Sequence, residues 1–258
     1  MARSPRQLGF TFRTWGGARK GAGRPPSGER AGVSHLRRPS QSRHHPLHVT
    51  LRVQRGVRSL REQALFREVR QALADGKSQF GFSLIQFSVQ RDHVHLIAEA
   101  HDRRALSRGI QGLSIRIARA VNRQLSRKGR LFADRYHARA LTTPRAAKLA
   151  LRYVLLNARK HSPRARGAGL DGIATGFVDS RSSAPWFRAF SRPEALAFGA
   201  REARADWQRS SGSTEPPVVA ARTWLLRTCL QRQGPFDSED TPGTQVNDGL
   251  DGEGRAGG

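Results

Sequence analysis

The chain has 258 residues, with 46 Lys+Arg against 20 Asp+Glu and a formal net charge of +26. Such an excess goes far beyond what solubility requires and points to a polyanionic partner, nucleic acid first among them. No apolar run reaches membrane-spanning length, the lone Cys229 permits no intramolecular disulfide and the basic N-terminus lacks a secretory apolar stretch, so the expectation is a cytoplasmic protein with no membrane partner.

Residues 1–45 carry ten Arg/Lys against Glu29 alone, a composition that cannot bury enough apolar surface to offset its ordering entropy. The segment is predicted to be a disordered basic arm. Within it, Gly23-Arg24-Pro25 has the form of an arginine that slides into a minor groove, which makes Arg24 a candidate DNA contact, though a non-specific polycationic tail is the simpler account. An ordered domain is predicted over 46–165. Leu47 to Val53 alternates apolar and polar residues as a first strand, and Leu60 to Ala74 has helical spacing that stops at Asp75-Gly76. Phe80 to Val89 reads as a second strand, turned by Gln90-Arg91-Asp92 into a third, His93 to Ala98.

The third strand holds the sharpest signal, His93-Val94-His95. Alternation sends both imidazoles to one face while Val94 and Leu96 enter the core, and two same-face imidazoles are half of a divalent-metal site. Taken alone, the pair reads first as a core histidine beside a solvated one. From Arg103 to Arg127 a long helix is predicted, with Leu106, Ile110, Leu113, Ile117 and Val121 on its core stripe. Arg116, Arg119, Arg123 and Arg127 form a second stripe of like charge. With Arg135 and Arg139 on the extended segment that follows, they are candidate DNA contacts in a phosphate-tracking groove. Thr143-Pro144 starts a further helix, to about His161, on which Tyr153 and Asn157 lie one turn apart. Beyond it, 166–233 reads as a helical extension, with helices from Glu194 to Arg209 and across Val218 to Gln231. The segment 234–258, with six acids and seven glycines, reads as a disordered acidic tail.

In this order the elements resemble the HUH single-tyrosine transposases, most closely the REP-associated tyrosine transposases of the insertion-sequence-200-like group. The residues that carry the resemblance are His93-Val94-His95, Val121-Asn122-Arg123, Gly129-Arg130-Leu131-Phe132 with Arg135-Tyr136, and Leu151 to Asn157; it spans roughly 45–190. It implies an α+β HUH endonuclease fold, a ferredoxin- or RRM-like antiparallel sheet with helices on one face. It also implies that Tyr153 is the nucleophile and that His93, His95 and Asn157 hold Mg²⁺ or Mn²⁺. The implied substrate is single-stranded or hairpin DNA, cleaved and rejoined through a 5′-phosphotyrosine by a monomer or homodimer associated with the bacterial nucleoid when DNA-bound. The chain departs from the pattern at Asp92, where the family has Asn, and at Ala158, where it has Pro.

Two other functions fit parts of the sequence. His48-Val49-Thr50 is an H-x-T on the first strand, as in the two-histidine phosphoesterases that cleave cyclic RNA phosphates without metal, although His95 stands where their second motif has Thr or Ser. A domesticated DNA-binding protein that keeps the fold and the basic groove without the chemistry is the non-enzymatic alternative.

Overall fold

The period-two patterns of the sequence become a five-stranded sheet in the computed structural model, which describes residues 41–161, 178–190 and 197–236. Nearly all of the basic arm, with Arg24, most of the 162–181 loop and nearly all of the acidic tail lie outside the described residues. The strands are β1 (Leu47–Arg52), β2 (Ser78–Gln79), β3 (Phe82–Val89), β4 (His93–Ala100) and β5 (His137–Ala140). They are ordered β2-β3-β4-β1-β5, and every pairing is antiparallel.

Alternation decides what each face carries. Leu47, Val49 and Leu51 of β1 and Val94, Leu96 and Ala98 of β4 face α1 (Gln63–Asp75) and α2 (Arg103–Gln124), where Val69, Ile110, Leu113 and Ile117 join them in one buried core. The α+β expectation holds, with α1 and α2 together on one face. The other face carries the polar residues of β1 and β4 and is covered in part by α3 (Pro144–His161), whose Ala147, Leu151, Val154 and Leu155 pack on Ile85 and Ile97. A bulge between Leu84 and Gln86 lets Leu84 and Phe87, an odd number of residues apart, face the same core.

Local chemistry sets the helix ends. The Asp102 carboxylate accepts the Ala105 N–H at 2.7 Å to cap α2, and the Thr143 hydroxyl accepts the Ala146 N–H at 3.1 Å ahead of Pro144. Helix α2 ends at Gln124, short of the predicted Arg127, because Ser126 takes a left-handed φ of 49°. Helix α4 (Ala197–Ser211) follows a 3₁₀ turn at Ala184–Trp186. Helix α5 (Trp224–Gln233) begins later than the predicted Val218, and the Val219 N–H donates instead to the Leu84 carbonyl of β3 at 2.9 Å. No helix among the described residues is long and apolar enough to cross a membrane.

Buried charge links the later helices to the sheet domain. Arg70 of α1 is only 1% exposed and donates to Asp206 of α4 at 2.8 Å, while Arg67 donates to the same carboxylate at 2.5 Å. Arg61 makes a paired contact with Asp179 at 2.8 and 3.0 Å. Glu99, on β4, accepts the backbone N–H groups of Arg222 and Thr223 and the Thr223 hydroxyl.

Burial alone would raise the Asp206 pKa, but the bonds and charges of Arg67 and Arg70 outweigh it and hold the carboxyl below its usual value. A depressed folded pKa means that its contribution is complete above the unfolded value near 4 and is lost as pH falls through that range. Asp206→Asn leaves Arg70 buried without a counter-charge, so urea denaturation at pH 7 should show a loss of about 3 kcal/mol. The variant should also lose less stability than the parent between pH 5 and 2.

Candidate active site

On the face opposite α1 and α2, β1 and β4 bring four polar side chains together. Thr50 stands opposite His95 in register and Arg52 opposite His93, so His48, Thr50, His93 and His95 share one patch of sheet. The His93 and His95 ring centroids are 4.6 Å apart and nearly perpendicular. His95 is almost fully buried, and its Nδ1 lies 3.2 Å from both His48 Nε2 and Thr50 Oγ1. Those contacts leave Nε2 as the atom turned toward α3, where the Tyr153 hydroxyl meets it at 3.4 Å. Nε2 has one lone pair, so the tyrosine contact and the ligation of a cation exclude one another at that atom.

Burial, seconded by the charges of His137 and Arg139 on β5, lowers the His48 pKa to about 4. His48 is therefore neutral at physiological pH. If Tyr153 donates to Nε2 of His95, then His95 carries its proton on Nδ1 and His48 Nε2 accepts it, a chain in which each group has one consistent role. Asp92 accepts from His93 Nδ1 at 2.8 Å. Burial would raise the Asp92 pKa, but that bond and the charges of His93 and Arg52 bring it below the usual value. The carboxylate that departs from the family pattern thus fixes the orientation of the first histidine.

Burial also raises the Tyr153 hydroxyl pKa. The Asn157 amide, one turn along α3, offsets part of that rise from outside hydrogen-bonding geometry, for neither of its polar atoms has a hydrogen-bond partner, although the residue is fully buried. An orphaned buried amide of this kind costs about 1–3 kcal/mol.

The structure thus gathers His93, His95 and Tyr153 with Asn157 beside them. The predicted arginines divide. Arg139 is on the site's own face, opposite His48 in register on β5, and Arg135 is exposed just before that strand. The α2 stripe lies in the layer across the sheet from the histidines. There Arg116 donates to Gln79, Arg123 pairs with Glu68 of α1 at 2.7 Å, Arg127 donates to Asn122 and the Arg130 carbonyl, and Arg119 is exposed. Tyr136 packs against the main core, with its hydroxyl 3.2 Å from that of Ser107. His48 and Thr50 were visible only as an H-x-T; pairing of β1 with β4 on matching polar faces is the signal that assigns them to this site.

Residues 41–155 match the family model for the IS200-like transposases. That segment is similar to the IS200-like transposases over somewhat less than half of the chain. It contains the histidine pair and Tyr153, while Asn157 falls just beyond it. Among solved structures, a REP-associated tyrosine transposase bound to a REP hairpin is 18% identical with a TM-score of 0.42, the match covering 50% of this chain and 75% of that one. No curated protein matches significantly.

Because His48 and Thr50 both reach Nδ1 of His95, each backs up the other. His48→Leu and Thr50→Val should each cost less than about 1 kcal/mol in urea denaturation at pH 7. The double variant, which strands a buried ring nitrogen, should cost about 1–3 kcal/mol more than their sum.

Proposed function

We propose that the chain is a single-strand DNA transposase that cuts and rejoins through a 5′-phosphotyrosine on Tyr153. The observation that carries this reading is the 3.4 Å contact between the Tyr153 hydroxyl and His95 Nε2, made within a single chain. It supports a site completed in cis, whether the protein acts as a monomer or a homodimer. The Tyr153 oxygen loses its proton and attacks the phosphorus of a DNA phosphodiester. The P–O3′ bond breaks, the 3′-oxygen leaves as a hydroxyl, and the phosphate stays joined to tyrosine and to the downstream 5′ carbon. Attack by a second 3′-hydroxyl reverses the exchange and rejoins DNA. Arg139 and Arg135 are the arginines best placed to hold strand phosphates near the site, and the α2 stripe offers a second, separate phosphate surface. Residues 46–165 would form the catalytic domain and 166–233 a helical extension packed onto it.

No three His, Cys, Asp or Glu side chains converge to hold a metal among the described residues. A divalent ion would instead rest on His93, His95 and the Asn157 amide oxygen, and the amide fits that role because its buried polar atoms have no hydrogen-bond partner among the described residues. Two imidazoles and an amide suit Mn²⁺ better than the oxygen-preferring Mg²⁺. When bound, the ion supplies positive charge against the phosphoryl oxygens.

The two-histidine phosphoesterase reading is less well supported. Its two histidines would be His48 and His93, and His95, which stands where its second motif needs Thr or Ser, hydrogen-bonds His48 directly at 3.2 Å.

Incubation of the protein with end-labelled hairpin DNA and Mn²⁺ should yield a detergent-stable protein–DNA adduct. Tyr153→Phe should reduce it to background with DNA affinity retained; an adduct of undiminished yield from that variant would sink the nucleophile assignment. EDTA should also prevent the adduct.

Metal binding can be read by calorimetry without DNA. Asn157→Ala should weaken Mn²⁺ about tenfold, while Tyr153→Phe, by removing the competitor for Nε2, should leave it equal or tighter.

A further inference from the structure

The β2–β3 hairpin turns through Phe80-Gly81, with φ of 51° and 76°. Two positive φ values are the requirement of a type I′ turn, ordinarily met by Asn-Gly. A phenylalanine is strained there, and at 76% exposure Phe80 offsets none of that strain by burial. An exposed aromatic on a strained turn suits a contact with another molecule.

Beside it opens a cleft of about 480 Å³ whose lining includes Arg43, Phe80, Glu99, His101, Arg222 and Trp224. Trp224, the first residue of α5, is 53% exposed, and the Arg232 guanidinium lies 4.6 Å over its ring. Glu99 is the acid of this lining, and its carboxylate is already engaged by the N–H groups of Arg222 and Thr223 and the Thr223 hydroxyl. The cleft therefore combines exposed aromatic faces with exposed cations. Glu99 and His95 project to the same face of β4, and His101, just past the strand, is six residues from His95, or about 20 Å at strand spacing.

We propose that this cleft is a stacking site for the unpaired bases of single-stranded DNA. Bases lie against Phe80 and Trp224, and their phosphates meet Arg43 and Arg222. Aromatic faces beside a basic track are how single strands are held without sequence readout, and duplex DNA, with its bases already stacked, has nothing to offer them. The site rests on the reading of the chain as acting on a DNA strand, and places a second hold on that strand away from Tyr153.

Fluorescence anisotropy of the full chain with a labelled oligonucleotide of about a dozen nucleotides, against an abasic ladder of equal length, tests it. The parent should bind the base-bearing strand more tightly than the ladder. Phe80→Asn and Trp224→Ala should each weaken binding of the base-bearing strand about tenfold and leave the ladder unchanged. Phe80→Asn, which suits the turn better, should melt no lower than the parent, so its loss of affinity is not a loss of fold. Folded variants with parental affinity, or a parent indifferent to bases, would overturn the site. Neither readout needs cleavage: failure of the adduct assay with base preference intact discards the tyrosine chemistry alone, and the reverse result discards this cleft alone.

Discussion

The pairing of β1 with β4 is the constraint from which the site follows. Thr50 opposite His95 and Val49 opposite Leu96 put four polar residues on one face and close the hydrophobic core with the other. A slip of either strand by one residue would turn imidazoles into the core and Val94 and Leu96 out of it. The large apolar interface with α1 and α2 therefore enforces the register of the candidate site, whose geometry is held by residues on the other face of the sheet.

That face is polar where most buried sheet faces are not, and the protein satisfies it group by group. His95 meets His48, Thr50 and Tyr153; His93 meets Asp92; Glu99 meets the start of α5. Among the described residues of this region, Asn157 alone has both side-chain polar atoms buried and without a hydrogen-bond partner. A stable fold ordinarily avoids such a group, and sites where it persists are those shaped for something other than stability.

Much of this was legible in the sequence because strand and helix periods are local. The H-x-H strand, the Thr-Pro helix start and the one-turn spacing of Tyr153 and Asn157 each follow from residues within a few positions of one another. What was not legible depends on distant partners. The bulge at Ile85 comes from how β3 meets β4, and the stretch before α5 runs beside β3, where Val219 bonds Leu84. The α2 arginines looked like neighbours of the histidines because they follow them in the chain, yet α2 packs on the opposite face. Arg123 also finds Glu68, which relieves the like-charge stripe that made it look reserved for phosphate. Sequence proximity indicates which elements adjoin; it does not say which side of a sheet they cover.

The ion pairs and carboxylate contacts under the later helices have a bearing on where this protein can be divided. The match to the transposase family model stops at residue 155, but Arg61 and Arg70 are paired with Asp179 and Asp206, and Glu99 is hydrogen-bonded by the amides of Arg222 and Thr223, all from beyond that boundary. A fragment cut at the similarity boundary would keep both histidines and the tyrosine, yet strand three charges that the intact chain answers from beyond the cut. Similarity marks one border and electrostatic balance marks another, farther along, so the residues between them are part of what a swap or truncation must carry with it.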